Sequence, residues 1–100
     1  VNISPLEIEN TLVQLPGVGE AAAIGVPDPV YGEEIVAWVV PLTGARVEPA
    51  ELMEMCRARI AAYKAPRTIE LRDALPKTER GKLDRKAILA QWQAAHAGAG

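Results

Sequence analysis

The chain has 100 residues, 49% of them hydrophobic and 24% charged, and a formal net charge of −2. This is the balance of one ordinary globular domain, too short for two independent cores and too apolar for a disordered segment. The only cysteine, Cys56, and the only histidine, His96, stand far apart, which excludes an internal disulfide framework and a zinc-type Cys/His cluster.

The longest nearly unbroken apolar stretch, Ile35 to Leu42, is too short to span a bilayer. The N-terminus has neither a basic segment nor a cleavage signature of export, and a lone free thiol suits a reducing cytoplasm. Charge is unevenly placed. Residues 1–45 hold six acidic side chains and no Lys or Arg, whereas residues 46–100 hold all eleven basic residues and seven acidic ones. The basic density peaks at Lys77, Arg80, Lys82, Arg85 and Lys86. Such asymmetry suits either an anionic ligand or a solvated surface.

In chain order, Ser4-Pro5-Leu6-Glu7 reads as a capping box with Pro at the first helical position. Ile3 and Ile8 have the spacing of a hydrophobic staple. Ile8, Leu12 and Leu15 continue at helical spacing until Pro16-Gly17 stops the helix. A chain seldom begins just ahead of a staple and without Met, so Val1 reads as a cut point in a longer protein. Glu20 to Val26 reads as a strand despite the helix-favouring Ala21 to Ala23. Pro27-Asp28-Pro29 ends it and Gly32 closes the loop. Glu34 to Leu42 is the clearest strand, with β-formers on both faces, and is expected in the middle of a sheet.

Val47-Glu48-Pro49 opens a second helix whose apolar stripe is read as Leu52, Cys56, Ile60 and Tyr63, ending before Pro66. Cys56 is then a buried small hydrophobe. Trp38 and Trp92 are core or interface residues. Thr68 to Arg72 reads as a short strand, Asp73 to Lys82 as a polar loop, and Asp84 to Ala95 as a third helix carrying Ile88, Trp92 and Ala95 on one side. Residues 96–100 are expected to be a flexible tail. Three strands with helices packed on them make a small α+β domain.

Gly81-Lys82 is not a P-loop, because Pro76 and Leu83 stand where Gly and Ser or Thr are required. Asp28 and Glu33 are too few ligands for a metal site. Taken alone, Lys82 is an ordinary surface lysine. The longer string Leu75-Pro76-Lys77-Thr78-Glu79-Arg80-Gly81-Lys82-Leu83-Asp84-Arg85-Lys86, however, resembles the closing motif of the adenylate-forming superfamily, which includes acyl- and aryl-CoA synthetases, luciferases and peptide-synthetase adenylation domains. Asn2-Ile3-Ser4-Pro5-Leu6-Glu7-Ile8-Glu9 resembles the segment that follows the interdomain hinge of those enzymes. Pro16-Gly17-Val18, Gly25-Val26-Pro27-Asp28 and Tyr31-Gly32-Glu33 recur between them in the order seen in acyl-CoA synthetases. The resemblance runs from residue 1 to about residue 90.

The resemblance implies that residues 1–95 are the mobile C-terminal lid of a larger ligase. Its N-terminal adenylation domain would bind ATP, Mg2+ and a small carboxylic acid, and the isolated lid would be inactive. The full reaction would join the acid to CoA through an acyl-adenylate. Lys82 is then the catalytic lysine of adenylation, with Gly81, Thr78 and Lys77 at the nucleotide. Its ammonium offsets the repulsion between carboxylate and phosphate, and the start of the third helix adds positive potential. In the second half-reaction the lid swings and another face meets CoA. Candidates there are Asn2, Ile3 and Ser4 along the pantetheine, with Tyr31 and Tyr63 at the adenine and Lys64 and Arg67 at the CoA phosphates. Ile3 and Ser4 also serve as staple and cap, and Tyr63 also completes the helical stripe. Acetylation of Lys82 would remove its charge, so a lysine acetyltransferase and a deacetylase are further expected partners. Two rival readings stay open: a domain that loads a carrier protein, and a non-enzymatic module binding RNA or another polyanion through residues 77–86. The second rival lacks interleaved aromatics and has an acidic net charge.

Overall fold

Ser4 caps the first helix as the sequence suggests. In the computed structural model, which describes residues 4–96, its hydroxyl accepts a hydrogen bond from the Glu7 N–H at 3.3 Å. Pro5 follows at the first position of helix α1, Pro5–Leu12. The Glu7 carboxylate is drawn to Lys64, 3.6 Å away. The Ile3 half of the expected staple and the tail beyond His96 lie outside the described residues. Helix α1 is shorter than its apolar spacing suggests. It ends at Leu12, and Leu15 is buried from the turn that follows.

Strand β1 (Val18–Asp28) pairs antiparallel with β2 (Gly32–Pro41), with Ala23 opposite Ala37 and Asp28 opposite Gly32. Strand β1 outruns its predicted limits at both ends, and β2 begins two residues earlier and ends one residue earlier than predicted, because the hairpin is tight and carries the pairing to its tip. Strand β3 (Thr68–Leu71) adds parallel to β2, giving the order β1-β2-β3. The central position expected for the Glu34–Leu42 segment therefore holds.

Alternation along the strands divides the core. Ala21, Ala23, Ile35, Ala37 and Val39 face one side, where Ile8 and Leu12 of α1 and Leu52 and Cys56 of helix α2 (Pro49–Arg59) cover them. Ala22, Ile24, Val26, Val36 and Trp38 face the other side, where Leu75 and Ile88 cover them. Ile88 belongs to helix α3, Arg85–His96. The run of alanines overrides its helical propensity because small side chains let α1 lie close on the sheet. Trp38 is buried, with the Arg72 guanidinium 4.1 Å above its ring.

One expectation is corrected. The stripe of α2 does not extend to Ile60 and Tyr63. The helix stops at Arg59, Ile60 is extended at φ −130°, and Tyr63 lies in a separate 3-10 turn, Ala62–Lys64. Pro66 disfavours helical backbone at Ala65, and the chain leaves the helix early to reach β3. Tyr63 is consequently 61% exposed. Helix α3 runs one residue past its expected end, where the His96 ring stacks on Trp92 at 4.1 Å. On α3 only Ile88 is fully buried; Trp92 packs at the margin and Ala95 is exposed.

Candidate functional site

The expected polar loop before α3 is a clamped hairpin. The Asp84 N–H donates to the Pro76 carbonyl at 2.9 Å, and Lys77 bridges Leu83 in antiparallel fashion. Nearer the tip, the Thr78 N–H donates to the Lys82 carbonyl at 2.7 Å and the Gly81 N–H returns to the Thr78 carbonyl at 2.9 Å. Gly81 adopts φ +82°, with nothing within 4 Å of where a Cβ would stand. This is a three-residue hairpin loop whose last position needs left-handed backbone, which explains the glycine. The Thr78 hydroxyl accepts from the Lys82 N–H at 3.4 Å.

Lys82 is the first residue of the returning arm. It is exposed, and no carboxylate lies within ion-pairing distance of its ammonium among the described residues. Lys77 points elsewhere: its Nζ lies 2.5 Å from the Glu20 carboxylate on β1. Gly81, Thr78 and Lys82 are thus brought together by backbone bonds, with Lys77 as the anchor of the opposite arm. Asp84 caps α3 by accepting from the Ala87 N–H at 3.0 Å, so the lysine sits just ahead of a capped helix N-terminus.

The residues proposed for CoA divide between two places. Tyr31, Tyr63 and Arg67 line one groove of about 560 Å³ together with Glu33, Glu34 and Ile35. Tyr31, 79% exposed, stands on the β1–β2 turn. That turn is shaped by Asp28, whose carboxylate accepts from the N–H of Val30 at 3.0 Å and of Tyr31 at 2.5 Å. The Tyr31 N–H above all holds the Asp28 carboxyl below its ordinary pKa, with Glu34, Val30 and Arg67 adding to the effect against partial desolvation. Nη1 of the Arg67 guanidinium is bonded to Glu34, with Asp28 4.0 Å away, while the side chain stays largely exposed and its other donors face outward to an anion. Lys64 pairs with Glu7 instead of joining this groove. Ser4 lines a different groove with Ile24, Arg85 and Leu89. Asn2 and Ile3 lie outside the described residues. Burial raises the pKa of the Cys56 thiol and makes it chemically quiet, as its place in the core implies.

Sequence reasoning missed Glu9, which is 6% exposed and the one buried charged residue among those described. Its carboxylate accepts from the Ala23 N–H at 2.7 Å and from both terminal nitrogens of Arg85, the Nη2 bond being 2.8 Å. Arg85 Nη1 also donates to the Ala23 carbonyl at 3.1 Å. Glu9 holds the Arg85 pKa above its ordinary value. The signal was present: Glu9 lies three residues before Leu12, hence on the buried flank of α1. Lys77 and Arg85 are both paired with carboxylates of the same chain, whereas Arg80, Lys82 and Lys86 have no such partner among the described residues.

Comparison with known proteins accords with this architecture. A family model for the AMP-binding enzyme C-terminal domain matches residues 7–82. A feruloyl-CoA synthase of Amycolatopsis sp is 49% identical over 82 residues, which are 82% of this chain and 17% of that protein. A sulfoacetate–CoA ligase of Cupriavidus necator is 46% identical over 88 residues, which are 88% of this chain and 17% of that protein. The structure of a Mycobacterium tuberculosis fatty acyl CoA synthetase superimposes with a TM-score of 0.87 at 35% identity, covering 95% of this chain and 19% of that one. The chain therefore spans less than a fifth of the length of the proteins it matches. By sequence and by fold it belongs to the AMP-binding enzyme C-terminal domain family.

Proposed function

We propose that this domain is the mobile lid of a cytoplasmic acid–thiol ligase and that Lys82 serves its adenylation step. In that reaction a carboxylate oxygen attacks the α-phosphorus of ATP, the bond to pyrophosphate breaks, and an acyl-adenylate forms. The thiol of CoA then attacks the acyl carbon, AMP leaves, and the thiol proton passes to solvent. The observation that carries the reading is the placement of Lys82: an exposed ammonium without a carboxylate partner among the described residues, on a hairpin fixed by cross-strand bonds, beside a capped helix start. Such a group can enter a nucleotide site without first breaking an ion pair. It can also meet charge growing on phosphate and carboxylate oxygens. Thr78 and Gly81 hold its backbone, and Lys77 anchors the hairpin.

Tyr31, Tyr63 and Arg67 are the side chains we assign to the nucleotide end of CoA, the aromatics offering stacking surfaces. Mg2+, when bound with ATP, screens the polyphosphate charge. We assign it, with ATP and the carboxylic acid, to an N-terminal adenylation domain. An acetyltransferase and a deacetylase acting on the exposed Lys82 would switch its charge.

The test is Lys82→Ala in the full-length enzyme. It uses the acid turned over fastest among ferulate, sulfoacetate and octanoate. ATP–pyrophosphate exchange should fall about 100- to 1000-fold, the loss typical of a single stabilising donor. Conversion of the preformed acyl-adenylate by CoA should persist. Exchange at the wild-type rate would refute the assignment.

A further inference from the structure

Two helices on opposite faces of the sheet are joined around its edge. Helix α1 covers the face built on Ala21, Ala23 and Ala37, and α3 covers the face built on Ile24, Val36 and Trp38. Strand β1 lies between them at the sheet edge, so the outward N–H and C=O of Ala23 have no strand partner. Glu9 reaches that edge from α1 and accepts the N–H at 2.7 Å, while Arg85 reaches it from α3 and donates to the C=O at 3.1 Å. The two side chains also bond each other through both guanidinium nitrogens. A carboxylate, a guanidinium and the N–H and C=O of one edge residue thus form a closed ring of hydrogen bonds.

Arg85 is the first residue of α3 and lies three residues beyond Lys82. The other arm of the same hairpin is fixed to β1 by Lys77 and Glu20, at 2.5 Å. The hairpin is therefore held on both sides of its tip to one strand, at residues 20 and 23. The attraction between the two charges is itself a small gain, since removing them from water offsets most of it, but they satisfy the N–H and C=O of Ala23, which an apolar pair would leave unpaired. What the ionic set adds is direction. A bidentate guanidinium fixes position and orientation together, which a contact between methyl groups does not.

We propose that Glu9 and Arg85 are positioning residues for the adenylation lysine, setting where α3 begins and so where the Lys82 ammonium points. This rests on the role assigned to Lys82 above. Arg85→Lys would retain charge but lose the fork, and Glu9→Gln would retain an acceptor for Ala23 but lose the ion pair.

In the full-length enzyme, with the acid used for the Lys82→Ala test, each variant should lower the maximal rate of ATP–pyrophosphate exchange 10- to 100-fold. The KM for ATP should stay within about threefold, and thioester formation from the preformed acyl-adenylate within about twofold. In a Lys82→Ala background, Glu9→Gln should cause no further loss of exchange. Thermal denaturation of each variant monitors folding. Equal loss in both half-reactions, or additive loss in the Lys82→Ala background, would show a structural role alone and overturn the proposal. So would unchanged exchange in Arg85→Lys and Glu9→Gln when Lys82→Ala is inactive. Full exchange in Lys82→Ala itself would instead refute the role of the lysine.

Discussion

Gly17 lies at φ +82° in the turn between α1 and β1, and a Cβ built there stands 2.6 Å from Cγ1 of Val47. Both the backbone conformation and the packing therefore require glycine. Gly17→Ala should destabilise the protein by about 2–3 kcal/mol, the left-handed penalty together with displacement of a packed methyl, measured as a lower urea midpoint. Asp28 makes a pH-dependent contribution whose sign follows from its lowered pKa. A carboxyl with a folded pKa below its unfolded value stabilises above the ordinary aspartate pKa of about 3.9, and that stabilisation is lost as pH falls through the folded value. Asp28→Asn should thus be less stable than the parent at pH 5 and above, with the gap closing as the pH is lowered below about 4. Denaturation curves across that range check it, and a gap that widens in acid would contradict the sign. Residues differ in how openly they announce such roles. Ser4 was legible as a cap because the hydroxyl and its target lie within one turn. Glu9 looked like surface charge because its partners, Ala23 and Arg85, are distant in sequence.

The segment from Leu75 to His96 works as one element, a hairpin feeding directly into a helix. Leu75 is buried at its root, Leu83 packs against the same core cluster, and Asp84 closes the hairpin with its N–H while capping α3 with its carboxylate. Asp84→Ala should remove the cap and cost about 1 kcal/mol, read from the urea midpoint. The same loss should appear in the Lys82→Ala background if the cap acts on folding alone. The helix was legible from its apolar spacing, but the hairpin before it was not. Its one buried hydrophobic side chain is Leu75, and its pairing depends on backbone bonds that polar residues do not advertise. For the opposite reason α2 was read too long: Ile60 and Tyr63 continue the helical period, yet the early departure toward β3 takes both out of the helix, Ile60 still packing against the core and Tyr63 exposed.

At the scale of the molecule, β2 is the spine, paired on both edges and covered on both faces. The layer of α1 and α2 on one side and the single helix α3 on the other leave two grooves, one lined by Tyr31, Tyr63 and Arg67 and one by Ser4, Arg85 and Leu89. These grooves separate residues that the sequence had grouped as one CoA-binding set. By itself the sequence determined the element order, the central strand, the capped start of α1 and the family, because each is written in local periodicity or in short contiguous strings. Only the tertiary structure decided that Arg67 is held by Glu34, that Tyr63 is exposed, and that Glu9 meets Arg85 at the edge of β1. Those outcomes depend on distances between residues far apart in the chain, and such distances are set by how the layers pack.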